Sequence, residues 1–202
     1  MGVIGSPAGD SGNGRLVRLL GFREELSLDR RGRFRLPDSL ADLLNQELGR
    51  VGQRAGALDQ TSGVRRLSFY FVPGTRQRIF VYPVPNISLA VDRFENPPRG
   101  MDPDVIRRAR DYFYDQMRFV EADKQHRLVI PDGLRQHAGI DEDVQQITLV
   151  AHNNWLALTR SELVEQRTAE NLEAFQKAAP DLLNPAYPPR PPAPSETEDE
   201  QL

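Results

Sequence analysis

Cysteine is absent from this 202-residue chain, which excludes disulfides and any thiolate zinc site. That absence fits a cytoplasmic setting. Histidine occurs three times, as His126, His137 and His152. No two of them have the spacing that would place both on one helix face, so no metal site and no cofactor is expected. No Ser or Cys nucleophile signature is present, and no enzymatic activity is expected. Apolar runs all fall short of the roughly 20 residues that a membrane span needs. The N-terminus lacks the charged-then-apolar pattern of a signal peptide. Neither a membrane nor a small-molecule substrate is an expected partner. Lysine is nearly missing too: Lys124 and Lys177 are the only two, leaving 24 of the 26 cations as arginine. Arginine suits forked contacts to phosphate and guanine. A GC-rich coding bias would raise the arginine count everywhere, but it would not place a cation at one loop position twice.

The net charge of −3 conceals an uneven distribution. Glu196, Glu198, Asp199 and Glu200 lie in the last eight residues, and without these four the balance is +1. Near the start, Arg15, Arg18, Arg23, Arg30, Arg31, Arg33 and Arg35 face only Glu24, Glu25 and Asp29.

An internal repeat organises the chain. Asp29-Arg30-Arg31-Gly32-Arg33 is followed by Phe34-Arg35-Leu36-Pro37-Asp38-Ser39-Leu40. Asp123-Lys124-Gln125-His126-Arg127 is followed by Leu128-Val129-Ile130-Pro131-Asp132-Gly133-Leu134, at a constant offset of 94. Asp, Arg, Pro, Asp and Leu are identical at five matched positions. Leu26, Leu28, Phe34 and Leu36 fall on alternate positions and predict one apolar face of a hairpin. Val120, Ala122, Leu128 and Ile130 predict the same in the second copy. Each polar pentapeptide is then a loop that carries cations off a rigid β-scaffold.

Residues 1–17 are Gly- and Ser-rich and are expected to form a disordered tail. Gly12-Asn13-Gly14 is too little for a phosphate-binding fingerprint. A first repeat spans 18–100. Within it, 18–37 is the first hairpin, and Pro37-Asp38 opens a helix with Leu40, Leu43, Leu44 and Leu48 at helical spacing. Residues 49–64 form a flexible insertion with no match in the second copy. Arg66–Val72 and Arg78–Pro83 are strands joined at Pro73-Gly74-Thr75, and 97–100 is a break. The second repeat spans 101–179. Asp102-Pro103 caps a helix whose expected apolar stripe is Val105, Ala109, Tyr112, Phe113 and Met117. The second hairpin covers 118–131. A short helix runs from Asp132 to Ala138 and stops at Gly139. Strands at 147–150 and 155–158 flank a turn at Asn153-Asn154. Thr159 with Glu162 predicts a capping box for a last helix with Leu163, Leu172 and Phe175 inward. His137 is expected at a helix end and His152 in a turn. Trp155 and the tyrosines are expected to pack in the core. Residues 180–202 are Pro-rich, then acidic, and are expected to be disordered. If that tail competes with DNA for the basic loops, its deletion tightens DNA binding.

Tandem Asp-x-x-x-Arg hairpins, each followed by apolar-x-apolar-Pro and a short helix, resemble the MraZ family. Phe80-Val81-Tyr82-Pro83, the helix from Asp102 to Met117 and Leu134-Arg135-Gln136-His137-Ala138-Gly139 add to the resemblance, which covers about residues 19–165. It implies an α+β fold of two tandem AbrB-like swapped-hairpin β-α-β units sharing a pseudo-two-fold core, with flanking helices. It also implies a cytoplasmic, nucleoid-associated transcriptional regulator. Such a regulator binds double-stranded DNA as a ring-like homo-oligomer on short direct repeats upstream of the division and cell-wall gene cluster. The implied DNA-binding residues are Asp29, Arg30 and Arg33 in one loop and Asp123, Lys124 and Arg127 in the other. In each loop the Asp is expected to hold the backbone and the Arg, because a carboxylate cannot attract phosphate. The chain departs from the family at His126, where glycine is usual, at the insertion and in the longer acidic tail. His126 predicts a reshaped second loop or one with a proton-dependent charge. The alternative function is an oligomeric scaffold or partner-binding protein that has lost sequence-specific DNA recognition.

Overall fold

Among the described residues, eight strands form two antiparallel sheets, and the pairing between them crosses the two repeats. The computed structural model describes residues 16–19, 21–50 and 66–182. The expected tail at 1–17 and the acidic tail at 180–202 lie mostly outside these residues. So does the insertion, apart from Gly49 and Arg50, which end a helix. In chain order come β1 (Arg23–Ser27), β2 (Arg33–Arg35), α1 (Asp38–Arg50), β3 (Ser68–Pro73) and β4 (Ile79–Pro83). A 3-10 turn (Val84–Asn86), α2 (Ser88–Glu95), α3 (Pro103–Gln116), β5 (Arg118–Glu121) and β6 (Arg127–Val129) follow. α4 (Asp132–Ala138), β7 (Gln146–His152), β8 (Trp155–Arg160) and α5 (Glu162–Leu182) complete the order.

One sheet has the order β1-β7-β8-β4-β3-β5, and the other pairs β2 with β6. The chain therefore departs from two self-contained hairpins. β1 and β2 are joined by a loop, yet β1 pairs with β7 and β2 with β6. Likewise β5 pairs with β3, while its loop partner β6 pairs with β2. Alternation specifies which face of a strand is buried; it does not specify which strand lies beside it.

The registers obey a two-fold relation. Leu26 opposes Ile147 and Val120 opposes Phe69. The first members of these pairs differ by 94 and the second by 78, and the shortfall of 16 is the length of 49–64. In β4–β8, Ile79 opposes Leu158 and Phe80 opposes Ala157, a pattern that maps onto itself at an offset of 78. In β2–β6 the central pair is Phe34–Leu128, again matched at an offset of 94. Leu36 N–H donates to His126 O and Ile130 N–H to Gly32 O, both at 2.8 Å. These two bonds exchange under the same operation.

The core draws on both halves. Leu26, Leu28, Phe34 and Leu36 from one copy are buried with Ala122, Leu128 and Ile130 from the other. Leu40, Leu44 and Leu48 of α1 join them, with Leu43 partly buried, and so do Leu134 and Ala138 of α4. Gly139 ends α4 at φ 62. Ile140 N–H then reaches Arg135 O at 2.8 Å, closing the last turn. The outermost strands of the large sheet, β1 and β5, carry exposed charges at Arg23, Glu24, Glu25, Arg118 and Glu121, which discourage edge-to-edge pairing.

Several expectations on the helices are corrected. On α3, Asp102 caps as expected, its side chain accepting from Asp104 N–H. The stripe is not buried, however. Phe113 is inward and packs on Phe94 at 4.3 Å between ring centroids, whereas Val105, Ala109 and Tyr112 are exposed. Tyr114 is exposed as well, so core packing holds for Tyr82 and not for every tyrosine. The eight-residue α2 was not expected; it has no side-chain cap to mark its start. Thr159 does not cap α5. It is a buried residue of β8 whose hydroxyl donates to Gln77 O at 3.4 Å. The chain divides into two units, one ending at Leu163 and one starting at Val164. The described part of the second unit is α5 from Val164 onward, on which Leu172 and Phe175 are exposed and not inward. Among the described residues, no helix is long and apolar enough to cross a membrane.

Candidate functional site

Each Asp-x-x-x-Arg loop closes on itself in the same way. In the first, Asp29 Oδ1 accepts from the N–H groups of Arg31 and Arg33, both at 2.9 Å. Asp29 Oδ2 accepts from Arg33 Nε at 2.6 Å. Asp29 N–H donates to Arg33 O, and Gly32 N–H to Asp29 O. In the second, Asp123 Oδ1 accepts from Gln125 N–H at 2.8 Å and Arg127 N–H at 2.9 Å, and Oδ2 from Arg127 Nε at 2.7 Å. The backbone bonds Asp123 N–H to Arg127 O and His126 N–H to Asp123 O complete the set. All five bonds thus recur at an offset of 94.

His126 does not reshape its loop, so the first of its two expected effects is overturned. It adopts φ 57 where Gly32 has φ 71, and left-handed backbone is more accessible to His than to most residues with a side chain. The asymmetry comes from the helix behind each loop. A Cβ on Gly32 would lie 2.9 Å from Arg135 Cδ. The residue matching Arg135 in the first copy is Ala41, which is buried and short. The imidazole therefore has room, and its Nδ1 lies 3.8 Å from Asp38 Oδ1.

The hydrogen bonds set the charge state of both carboxylates. The backbone N–H of Arg33, with its guanidinium and the N–H of Arg31, holds Asp29 below its ordinary 3.8. Desolvation pushes Asp123 upward, but the bonds from Arg127 and Gln125 outweigh it and hold this carboxyl below 3.8 as well. An ionised Asp at each position is what the bond pattern requires. It accepts three N–H groups and donates nothing.

The β2–β6 ribbon places the two arginines on one surface. Directly opposed residues of an antiparallel pair share a face, and alternate residues share it with them. Arg33 opposes Val129, and Arg35 opposes Arg127. These four form the outer face; Phe34 and Leu128 point inward at 2% and 0% exposure. Arg33 and Arg127 are diagonal neighbours, about 7–8 Å apart and somewhat closer at the Cβ atoms. Their side chains are 36% and 41% exposed, so neither is walled in by the described residues. Nε of each is spent on the Asp, at 2.6 and 2.7 Å. Arg35 Nη2 meets both oxygens of Asp38, at 2.8 and 3.2 Å. Arg30 and Arg31 are exposed at one loop tip and Lys124 at the other.

The structure therefore brings Asp29, Arg33, Asp123 and Arg127 together and sets Arg30 and Lys124 at the rims. Sequence reasoning passed over Arg35 and Val129. Counting by twos from Arg33 and Arg127 would have placed both on the same face. An open groove beside the first loop, lined by Ser27, Asp29, Arg30, Asp141, Asp143 and Glu162, is of mixed charge. Among the described residues no cluster of three or more His, Cys, Asp or Glu side chains could hold a metal ion. His137 bridges three elements: Tyr112 Oη lies 2.9 Å from its Nδ1, and its Nε2 donates to Gly74 O at 2.7 Å.

No protein-family model matches the chain. Over 66 residues it is 38% identical to the transcriptional regulator MraZ of Lachnoclostridium phytofermentans. The matching stretch is 33% of this chain and 45% of that protein, so the chain spans less than half of this relative's length.

Proposed function

We propose that this chain is a DNA-binding transcriptional regulator of the MraZ type. It is built from two AbrB-like swapped-hairpin units, 18–100 and 101–179, sharing a pseudo-two-fold core between two tails, 1–17 and 180–202. Arg33 and Arg127 contact base edges or phosphates. Arg30 and Lys124 add phosphate contacts at the rims, and Asp29 and Asp123 aim the guanidinium groups. It works in the cytoplasm on the nucleoid, as a ring-like homo-oligomer on short direct repeats upstream of the division and cell-wall gene cluster. One ribbon makes few contacts, so assembly multiplies a weak interaction by about 10² or more where geometry permits.

The observation that carries this reading is the doubled loop. Two guanidinium groups are held at 2.6 and 2.7 Å by their own carboxylates, yet stay exposed on one face. The local match to a transcriptional regulator supports it from another side. The test is retardation of duplexes selected by this protein from random-sequence DNA. Arg33→Ala with Arg127→Ala should weaken binding at least about 30-fold, since each good base contact is worth about 1–3 kcal/mol. The slope of log affinity against log salt should become shallower by about one for each arginine that no longer neutralises a phosphate. Undiminished selective binding by the double variant would remove the loops from the mechanism.

The second reading, a partner-binding scaffold without DNA recognition, is favoured by exposed apolar side chains on α3 and β5. Tyr112 is 47% and Phe119 52% exposed, and β5 is an open sheet edge. Failure to retain any duplex, together with stable self-association, would support it.

A further inference from the structure

The two ends of the β2–β6 ribbon are equivalent in backbone and unequal in chemistry. The offset of 94 carries Arg33 onto Arg127, and it carries Arg35 onto Val129. Because Arg33 opposes Val129 and Arg35 opposes Arg127, one end of the outer face shows a guanidinium beside a valine. The other end shows two guanidinium groups side by side.

Resting on the DNA reading above, we propose that the ribbon reads its site with fixed polarity, Val129 lying against a thymine C5-methyl at one end while Arg35 and Arg127 face the other. Val129 is 47% exposed, whereas the neighbouring apolar residues Phe34, Leu36, Leu128 and Ile130 are at most 2% exposed. It is the one apolar side chain on a face otherwise made of arginine. The major groove is about 12 Å wide and admits a two-stranded ribbon. The thymine methyl is the apolar group displayed there, and short aliphatic side chains meet it by contact. The opposite end carries an internal cost. Like charges directly opposed across a ladder repel, and here the repulsion is offset by one acid for each arginine, Asp38 and Asp123. Such an arrangement adds nothing to the core. It keeps two forked donors within one or two base pairs of each other.

A ribbon with identical ends would accept a site in either orientation. Unequal ends remove that degeneracy: turning the duplex around places a methyl against Arg35 and a guanine edge against Val129.

The test uses the full chain and a duplex selected by it from random-sequence DNA. Each thymine is replaced singly by deoxyuridine, which removes only the methyl. One position should lose about fourfold in affinity, the weight of one methyl withdrawn from apolar surroundings. Val129→Ala should abolish that sensitivity, and the duplex reselected by Arg35→Val should carry a second sensitive thymine at the other end of the site. The proposal is overturned if no thymine is sensitive, if the selected site contains none, or if sensitivity persists unchanged in Val129→Ala. Failure to select any duplex is a different result, because it ends the DNA reading itself.

Discussion

Gly32 and Arg135 meet across the two repeats: a Cβ on the glycine would stand 2.9 Å from Arg135 Cδ. The loop of one copy is thus roofed by a helix of the other, and only one of the two loops is crowded. Swapping the loop residues should therefore be unequal in effect. Gly32→His should cost more than about 2 kcal/mol, since left-handed backbone costs about 1–2 kcal/mol for a residue with a side chain and Arg135 must also move. His126→Gly should stay within about 1 kcal/mol, the relief of strain being offset by the greater freedom of glycine in the unfolded chain. Urea unfolding of the two variants checks this; equal costs would mean that Arg135 is not what distinguishes the loops.

Asp29→Asn and Asp123→Asn separate aim from attraction. Each substitution removes a negative charge from a cationic face and loosens the hold on an arginine. Affinity for scrambled duplex should rise severalfold as charge repulsion falls. Preference for the selected duplex should fall by about tenfold or more as the guanidinium loses its direction. The quantity to measure is the ratio of the two dissociation constants at fixed salt. A ratio unchanged in both variants would show the carboxylates to be bystanders.

The same carboxylates predict a pH response. Both are held below 3.8 in the folded protein by N–H donors. Stability from a depressed acid is fully present above the ordinary value and is lost as pH falls through the folded one. The loop bonds should therefore be unaffected from neutral pH to about 4, and the amide resonances of Arg33 and Arg127 should titrate with midpoints below 3.8. Midpoints at or above that value would contradict the bond pattern.

Asn86 tests the scaffold without touching the loops. It is fully buried; its Oδ1 accepts from Val17 N–H at 2.9 Å, and its Nδ2 donates to Val17 O at 2.8 Å and Asn154 O at 2.6 Å. Asn86→Ala strands Val17 N–H away from water, leaves Val17 O only the longer bond from Asn154 Nδ2 at 3.3 Å, and should cost about 2–4 kcal/mol. Thermal unfolding should report the loss, while DNA binding well below the transition is preserved. A cost below about 0.5 kcal/mol would mean that other groups or water replace the amide.

Local chemistry settled much of this molecule before any tertiary contact. The offset of 94 marks the two loops, Pro37-Asp38 and Pro131-Asp132 mark where helices begin, and Gly139 marks where one ends. Asp29 and Asp123 were legible as loop-holding residues because an acid next to a cationic turn can only accept. These features depend on a few neighbouring residues and their preferred torsions, so they can be read along one dimension. Folding decided the rest. β1 finds β7, and β2 finds β6, because burial of Leu26 and Phe34 is satisfied by any strand that offers the right face, and the shared core selects among them. The same selection drew Thr159 into a strand instead of a cap. It left Val105 and Tyr112 largely exposed, with Tyr112 held by its hydroxyl to His137 and not packed into the core. It also set Arg35 across from Arg127, a juxtaposition that exists only once the two repeats are laid against each other.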